Sequence, residues 1–210
     1  IYIEAISPRQ GRVSFMAMLE TNNLGDIWPA DMQPDKPALI MVHGPESEAV
    51  ITYGALKARS NAVARGLVRD GYKRGDRIAI LAANVDDYLA AYLGTMQAGC
   101  ISVPVNWKLP ESALHHVLHD SDSLVAFVDQ ERLASVPAGM KTIQFGPAFE
   151  AFLDPGEFEP LIMAQDEVAM FLYTSGSTGN PKGVPLTHAG HGWVTMMRVK
   201  GAPDTKDHRA

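Results

Sequence analysis

Ten consecutive residues near the end of the 210-residue chain combine glycine, hydroxyl and ammonium chemistry: Thr174, Ser175, Gly176, Ser177, Thr178, Gly179, Asn180, Pro181, Lys182 and Gly183. A phosphate chain needs backbone N–H groups that can approach an anion closely, and glycines at 176, 179 and 183 permit that approach and tolerate positive φ. The hydroxyls of Thr174, Ser175, Ser177 and Thr178 add donors, and Lys182 adds a mobile positive charge. Charge-assisted hydrogen bonds contribute roughly 1.5–3 kcal/mol each, so several converging donors can hold a triphosphate. The competing reading is a flexible Gly/Ser linker, but a linker does not require a lysine at a fixed offset after an apolar run. A Walker A loop is excluded: Pro181 stands five residues after Gly176, and Val184 five after Gly179.

The elements that must carry this loop follow from periodicity. Val168 to Tyr173 is an unbroken apolar and aromatic run, read as a buried strand that empties into the loop. Beyond Val184 to Thr187 a patterned segment begins near His188, which places a helix start there. Upstream, Ala38 to Val42 and Val50 to Tyr53 read as a hairpin around Gly44-Pro45. Thr52 is placed to cap a helix that ends near Gly71, with Leu56, Val63 and Leu67 on one face. Arg77 to Ala82, Ile101 to Val105, Leu124 to Val128 and Lys141 to Phe145 read as strands. Asp86 to Ala98, closed by Gly99, and Glu111 to Asp120 read as helices, and Asp154 to Glu167 as a surface connection. Alternating strands and helices predict an α/β fold: a mostly parallel sheet with right-handed crossovers and flanking helices. Loops beyond the carboxyl ends of such strands are where these folds bind ligands.

Composition narrows the classes. Hydrophobic residues make up 46% and charged residues 20% of the chain, far from the composition of a disordered protein. Folding at this size buries about 70% of the surface of the unfolded chain, enough for a sizeable core. The formal charge of −6 supplies no basic footprint for nucleic acid or anionic membrane, so a polyanion has to be held locally. No stretch approaches the ~20 apolar residues of a membrane span, and the single Cys100 cannot form an intrachain disulfide. A cytoplasmic protein without integral membrane association is expected. The missing initiator Met leaves open a processed or trimmed start.

The stretch YTSGSTGNPKGV, Tyr173 to Val184, resembles the phosphate-binding signature of the adenylate-forming, AMP-binding superfamily of acyl- and aryl-CoA synthetases, luciferases and peptide-synthetase adenylation domains. The segments ITYGALKARSNAVARGLVRDGYKRGDRIAIL and YLAAYLGTMQAGCISVPVN are similar to the early region of that superfamily, and AGCISVPVNWKLP looks most like acyl-CoA synthetases. The resemblance implies a partial N-terminal domain: an N-terminal segment 1–34, the partial AMP-binding domain 35–200 with its phosphate loop at 173–184, and an exposed tail 201–210. It implies attack of a carboxylate on the α-phosphate of ATP, giving an acyl-adenylate and pyrophosphate, and then displacement of AMP by the thiol of CoA. Lys182 takes the catalytic role on the leaving group; Thr174, Ser175, Gly176, Ser177, Thr178, Gly179 and Gly183 bind the nucleotide with it, and Mg²⁺ shares the neutralisation.

The resemblance also shows what this sequence lacks. Members of the superfamily are more than twice as long. The Tyr-Gly-x-Thr-Glu segment whose Glu helps hold Mg²⁺, the Tyr-x-Thr-Gly-Asp segment that grips ribose, and the C-terminal domain with its adenylation lysine are not found between Ile1 and Ala210. The chain is therefore read as an N-terminal fragment, inactive alone, of an AMP-forming acyl-CoA synthetase. The alternatives are an amino-acid adenylation domain that loads a carrier protein and a noncatalytic nucleotide-binding module. The acid and the oligomeric state are not specified by the sequence.

Weaker signals have plainer readings. Glu111, His115 and His119 share a helix face, yet a solvated face is preferred over a metal site, and no metal ligand is assigned. His188 and His191 are within reach of a bound phosphate or acyl group, with a structural role at the helix start at least as fitting. Tyr173, Trp107 and Trp193 could stack on a base, but Tyr173 reads more simply as core, as does Met196-Met197. Ser177 sits in no Gly-x-Ser-x-Gly elbow, and Cys100 reads as buried and unreactive.

Overall fold

The computed structural model describes residues 2–3, 23–28, 32–44, 47–83, 85–174 and 180–190, and their strands fall into two sheets. The smaller is antiparallel, β1 (Tyr2–Ile3), β2 (Pro37–Gly44) and β3 (Ser47–Thr52) in that spatial order. Thr52 ends β3 and caps α1 (Tyr53–Arg69), its hydroxyl accepting the Ala55 N–H at 3.2 Å as the sequence predicts. Leu56, Ser60, Val63, Ala64 and Leu67 recur at helical spacing along the buried face of α1.

The larger sheet contains β4 (Arg77–Leu81), β5 (Ile101–Pro104), β6 (Val125–Val128), β7 (Lys141–Gln144), β8 (Val168–Thr174) and β9 (Lys182–Thr187). Its spatial order is β7-β6-β4-β5-β8-β9, parallel everywhere except for the antiparallel β8–β9 pair. The helices of this unit are α2 (Tyr88–Gln97), α3 (Glu111–Asp120) and α4 (Pro147–Phe152), with a 3₁₀ turn at Leu133–Ser135. Gly99 stops α2 at φ +72°, where the Cys100 N–H reaches the Thr95 carbonyl and the Gly99 N–H that of Met96, a Schellman closure that glycine alone makes without strain. Because β5 and β6 flank β4, the connections leaving β4 and β6 run outward in opposite directions. This is the topological switch that opens a crevice at the carboxyl ends of parallel strands.

Burial explains why β4 is apolar throughout. Ile78 and Ile80 face one layer with Val63 and Leu67 of α1, Phe127 of β6 and Phe149 and Phe152 of α4. Ala79 and Leu81 face the other, with Val103 and with Leu114, Val117 and Leu118 of α3. Phe127 is wholly enclosed and meets Phe149 and Phe152 edge-on at 5.5 Å each, so truncating it should cost about 3–5 kcal/mol.

Three sequence expectations change. β8 is not uniformly buried: Ala169 and Met170 are enclosed against α2, but Leu172 remains 38% exposed beyond them, while Phe171 and Tyr173 pack against the α3 layer. The connection 154–167 forms no regular element, yet it is stapled down. The Asp154 N–H meets the Ala62 carbonyl, the Leu161 N–H meets Gln97, and Met163 is buried. Finally, β9 and α4 are elements that periodicity did not reveal.

Candidate functional site

Thr174 closes β8 and Lys182 opens β9, and they face each other as register partners across the antiparallel pair. β8 runs parallel to β5, so this hairpin turns at the carboxyl edge of the parallel strands, the ligand-binding edge of an open α/β sheet. Thr174, Lys182 and Gly183 are exposed there. Ser175, Gly176, Ser177, Thr178 and Gly179 lie outside the described residues, so the structure brings together the two stems of the predicted loop.

Each stem is fastened to α3. The phenol of Tyr173 donates to Asp120 Oδ2 at 2.7 Å, and burial, reinforced by that bond, raises the Tyr173 pKa. His116 Nε2 lies 3.0 Å from the carbonyl oxygen of Pro181, a buried residue directly before Lys182. A carbonyl only accepts, so Nε2 carries the proton. Between the stems, Gly183 packs under the Tyr173 ring so closely that a Cβ there would sit 3.0 Å from Cζ. Gly183 lies in β9 without a positive φ, so its reason here is this close packing and not the backbone freedom anticipated from its type.

Beyond β9, residues 188–190 begin a helical turn, and Thr187 Oγ1 accepts the Gly190 N–H at 3.0 Å as its cap. His188 is buried inside this junction. Its Nδ1 accepts the Leu24 N–H at 3.0 Å, and its Nε2 has no hydrogen-bond partner among the described residues. Burial lowers its pKa to about 4 against the partial opposition of Glu167. A neutral, enclosed imidazole of this kind is structural, in line with the plainer of its two readings. His191, Trp193, Met196 and Met197 lie outside the described residues.

The same carboxyl edge holds a cluster that the sequence reading missed. Asp129, just after β6, accepts from the Ala83 N–H and the Arg132 guanidinium at 2.8 Å each and from the Arg132 N–H at 3.0 Å. The Arg132 guanidinium lies 4.2 Å from the centre of the Trp107 ring, and the Lys108 ammonium is 5.3 Å from it. The spacing Asp-x-x-Arg after an apolar strand was the available signal. Trp107, proposed as a base-stacking candidate, is thus paired with two cations.

The remaining candidates separate. Glu111 Oε1 and His115 Nε2 stand 3.8 Å apart, and among the described residues no three His, Cys, Asp or Glu side chains could hold a metal ion together. The Cys100 thiol is buried, donates to the Lys73 carbonyl at 3.4 Å and is pushed up to about 12 by desolvation and by Asp76. Among the described residues no helix is long and apolar enough to cross a membrane.

Comparison with known proteins gives a consistent picture. The AMP-binding enzyme family matches residues 28–208. The feruloyl-CoA synthase of an Amycolatopsis species is 37% identical over 189 residues, covering 87% of this chain and 37% of that protein. A fatty acid–[acyl-carrier-protein] ligase of Streptomyces coeruleorubidus is 33% identical over 170 residues, covering 76% of this chain and 31% of that protein. The O-succinylbenzoate coenzyme A synthetase of Bacillus subtilis, solved in complex with AMP, superposes with a TM-score of 0.67 at 25% identity, over 87% of this chain and 44% of that one. The chain therefore spans less than half the length of each of these three proteins.

Proposed function

The chain belongs to the AMP-binding enzyme family, and from that membership we propose that the complete protein is an AMP-forming acid–thiol ligase of which these residues form the triphosphate-gripping part. In the first half-reaction a carboxylate oxygen attacks the α-phosphorus of ATP. The α–β phosphoanhydride breaks, pyrophosphate leaves, and an acyl-adenylate forms. In the second, the sulfur of CoA attacks the acyl carbon, the acyl–phosphate bond breaks, AMP leaves with its electron pair, and the thiol proton is released.

The observation that carries this reading is the Thr174–Lys182 pairing at the carboxyl edge, which brings the two stems of the glycine- and hydroxyl-rich stretch together there with Lys182 exposed. Lys182 and the loop amides would meet the negative charge that develops on the departing pyrophosphate, and charge stabilisation at that point lowers the barrier more than ground-state binding does. The roles of Thr174, Ser175, Gly176, Ser177, Thr178, Gly179 and Gly183 as phosphate ligands belong to the same proposal. Mg²⁺ is expected to accompany the nucleotide and share its charge; among the described residues no three His, Cys, Asp or Glu side chains come together to hold it. A cytoplasmic location goes with these soluble substrates.

The acceptor is the point where a second reading has support. The similarity to a carrier-protein ligase at 33% identity favours a phosphopantetheine thiol on a carrier protein as the alternative to free CoA; both present the same nucleophile. A panel of carboxylic acids given to the complete protein with ATP, and with CoA or a loaded carrier protein in separate arms, should release AMP in one arm. AMP release in neither arm, across aromatic, fatty and amino acids, would leave the noncatalytic nucleotide-binding module in its place. Residues 1–210 alone are expected not to turn over, since the contacts to adenine, ribose and acyl group that the resemblance implies fall outside this sequence.

A further inference from the structure

We propose that His116 is a positioning residue for the phosphate loop, its Nε2–H holding the Pro181 carbonyl so that Lys182 enters β9 with its amide in one fixed orientation. The inference rests on the reading of residues 174–183 as a phosphate cradle.

The geometry has two parts. A trans peptide unit is planar, so its carbonyl and the following N–H point in opposite directions. The described residues contain no cis bond, and pinning the Pro181 oxygen at 3.0 Å from α3 therefore turns the Lys182 N–H away from that helix. Proline cannot anchor this turn through an N–H of its own, which leaves its carbonyl as the group by which the chain can be held. The second part is the pairing with Asp120. His116 and Asp120 are four residues apart, one turn on a single face of α3, and Asp120 takes the Tyr173 hydroxyl at 2.7 Å. One helix face thus holds both stems of the loop, one through the entering strand and one through the leaving strand, with Tyr173 and Gly183 paired between them.

Ordering a donor at the moment of contact opposes anion binding through lost conformational entropy. A stem held before the ligand arrives removes part of that cost. His116 touches no reacting atom in this arrangement; it acts through Pro181 and Lys182. Either the neutral Nε2–H tautomer or the imidazolium can make the bond, and a side-chain amide of similar reach can replace it.

The test compares His116→Gln, which keeps an N–H donor, with His116→Met, which has similar bulk and none. Both are made in the complete protein, together with Lys182→Ala. ATP affinity is measured by calorimetry, and the melting midpoint is measured without ligand. The expected result is about tenfold weaker ATP binding in His116→Met, recovery to within about threefold in His116→Gln, and closely similar midpoints for the two unliganded variants. Equal ATP affinity in His116→Met and the unmutated protein overturns the inference, as does a Met variant that melts far below the Gln variant, which would assign the bond to stability alone. Lys182→Ala separates the two levels. If it leaves both ATP affinity and ATP–pyrophosphate exchange unchanged, the phosphate-cradle reading itself fails; if it weakens either while His116→Met leaves ATP affinity unchanged, only the positioning role fails.

Discussion

The phenol of Tyr173 and the carboxylate of Asp120, 53 positions apart in sequence, meet at 2.7 Å and tie the last turn of α3 to the end of β8. A hydrogen bond to a charged acceptor contributes roughly 1.5–3 kcal/mol when enclosed, but Asp120 is exposed, so screening by water brings the net toward 1 kcal/mol. Tyr173→Phe should therefore lower unfolding stability by about 1 kcal/mol in urea titration while leaving the ring packed against Gly183. A loss above about 3 kcal/mol would mean that the ring itself had been dislodged.

His188 makes stability depend on pH. Its pKa falls from 6.5 to about 4 on folding, first through burial and then through Arg74, against Glu167. Protonation would also set an Nδ1–H against the Leu24 N–H that now donates to it. The unfolded chain binds this proton more tightly than the folded one. The contribution is therefore fully present above pH 6.5 and is lost as pH falls from 6.5 toward 4, by roughly 3 kcal/mol in all. Urea midpoints measured from pH 7.5 down to 4.5 should fall in the unmutated protein and fall less steeply in His188→Gln. Parallel pH profiles for the two proteins would remove His188 from the account.

Asp129 is almost enclosed and satisfies two backbone N–H groups as well as the Arg132 guanidinium. Asp129→Ala leaves the Ala83 amide without its acceptor, leaves the Arg132 amide with only the longer bond to the backbone carbonyl of residue 129, and leaves the largely buried guanidinium with the exposed Glu131 alone. Removing one member of such a pair costs more than the pair contributes. A destabilisation of about 3 kcal/mol is expected in urea titration. Because Arg132 then loses the more buried of its two carboxylate partners, the indole fluorescence should also respond to solvent quenchers more strongly than in the unmutated protein. Near-equal stability in Asp129→Ala would show that water replaces the carboxylate at no cost.

Local rules made most of the scaffold legible. Thr52 as a cap, Gly99 as a helix stop, the two-sided apolar run of β4 and the bounds of α3 all follow from chemistry within a few residues. β9 escaped because Gly183 and Pro185 argue against a strand, yet an edge strand tolerates proline where no ladder partner needs its N–H. α4 escaped because six residues give too short a period, even though Phe149 and Phe152 carry its buried face. The site shows the same division. The loop was readable as a run of glycines, hydroxyls and a lysine, whereas His116 and Asp120 were not. Their importance depends on α3 packing beside the β8–β9 stem, a relationship between segments more than 50 residues apart. The sequence reading weighed His115 and His119 for metal binding and passed over the neighbour between them that faces the loop.

Lys182 gives the sharpest test of the chemistry. It is exposed at the hairpin base opposite Thr174, so its side chain is unencumbered and Lys182→Ala should leave folding intact to within about 0.5 kcal/mol. A charge-assisted contact to a triphosphate contributes roughly 1.5–3 kcal/mol, so ATP-dependent pyrophosphate exchange at subsaturating ATP should fall about 10- to 100-fold in the complete protein. Lys182→Arg keeps the charge but replaces a compact ammonium with a broad planar fork, and should recover only part of the loss. If the ammonium acts on the departing pyrophosphate, the deficit in Lys182→Ala persists at saturating ATP as a lower maximal exchange rate. If it serves ground-state binding alone, saturating ATP restores the rate. Exchange that is unchanged at every ATP concentration would remove Lys182 from both roles.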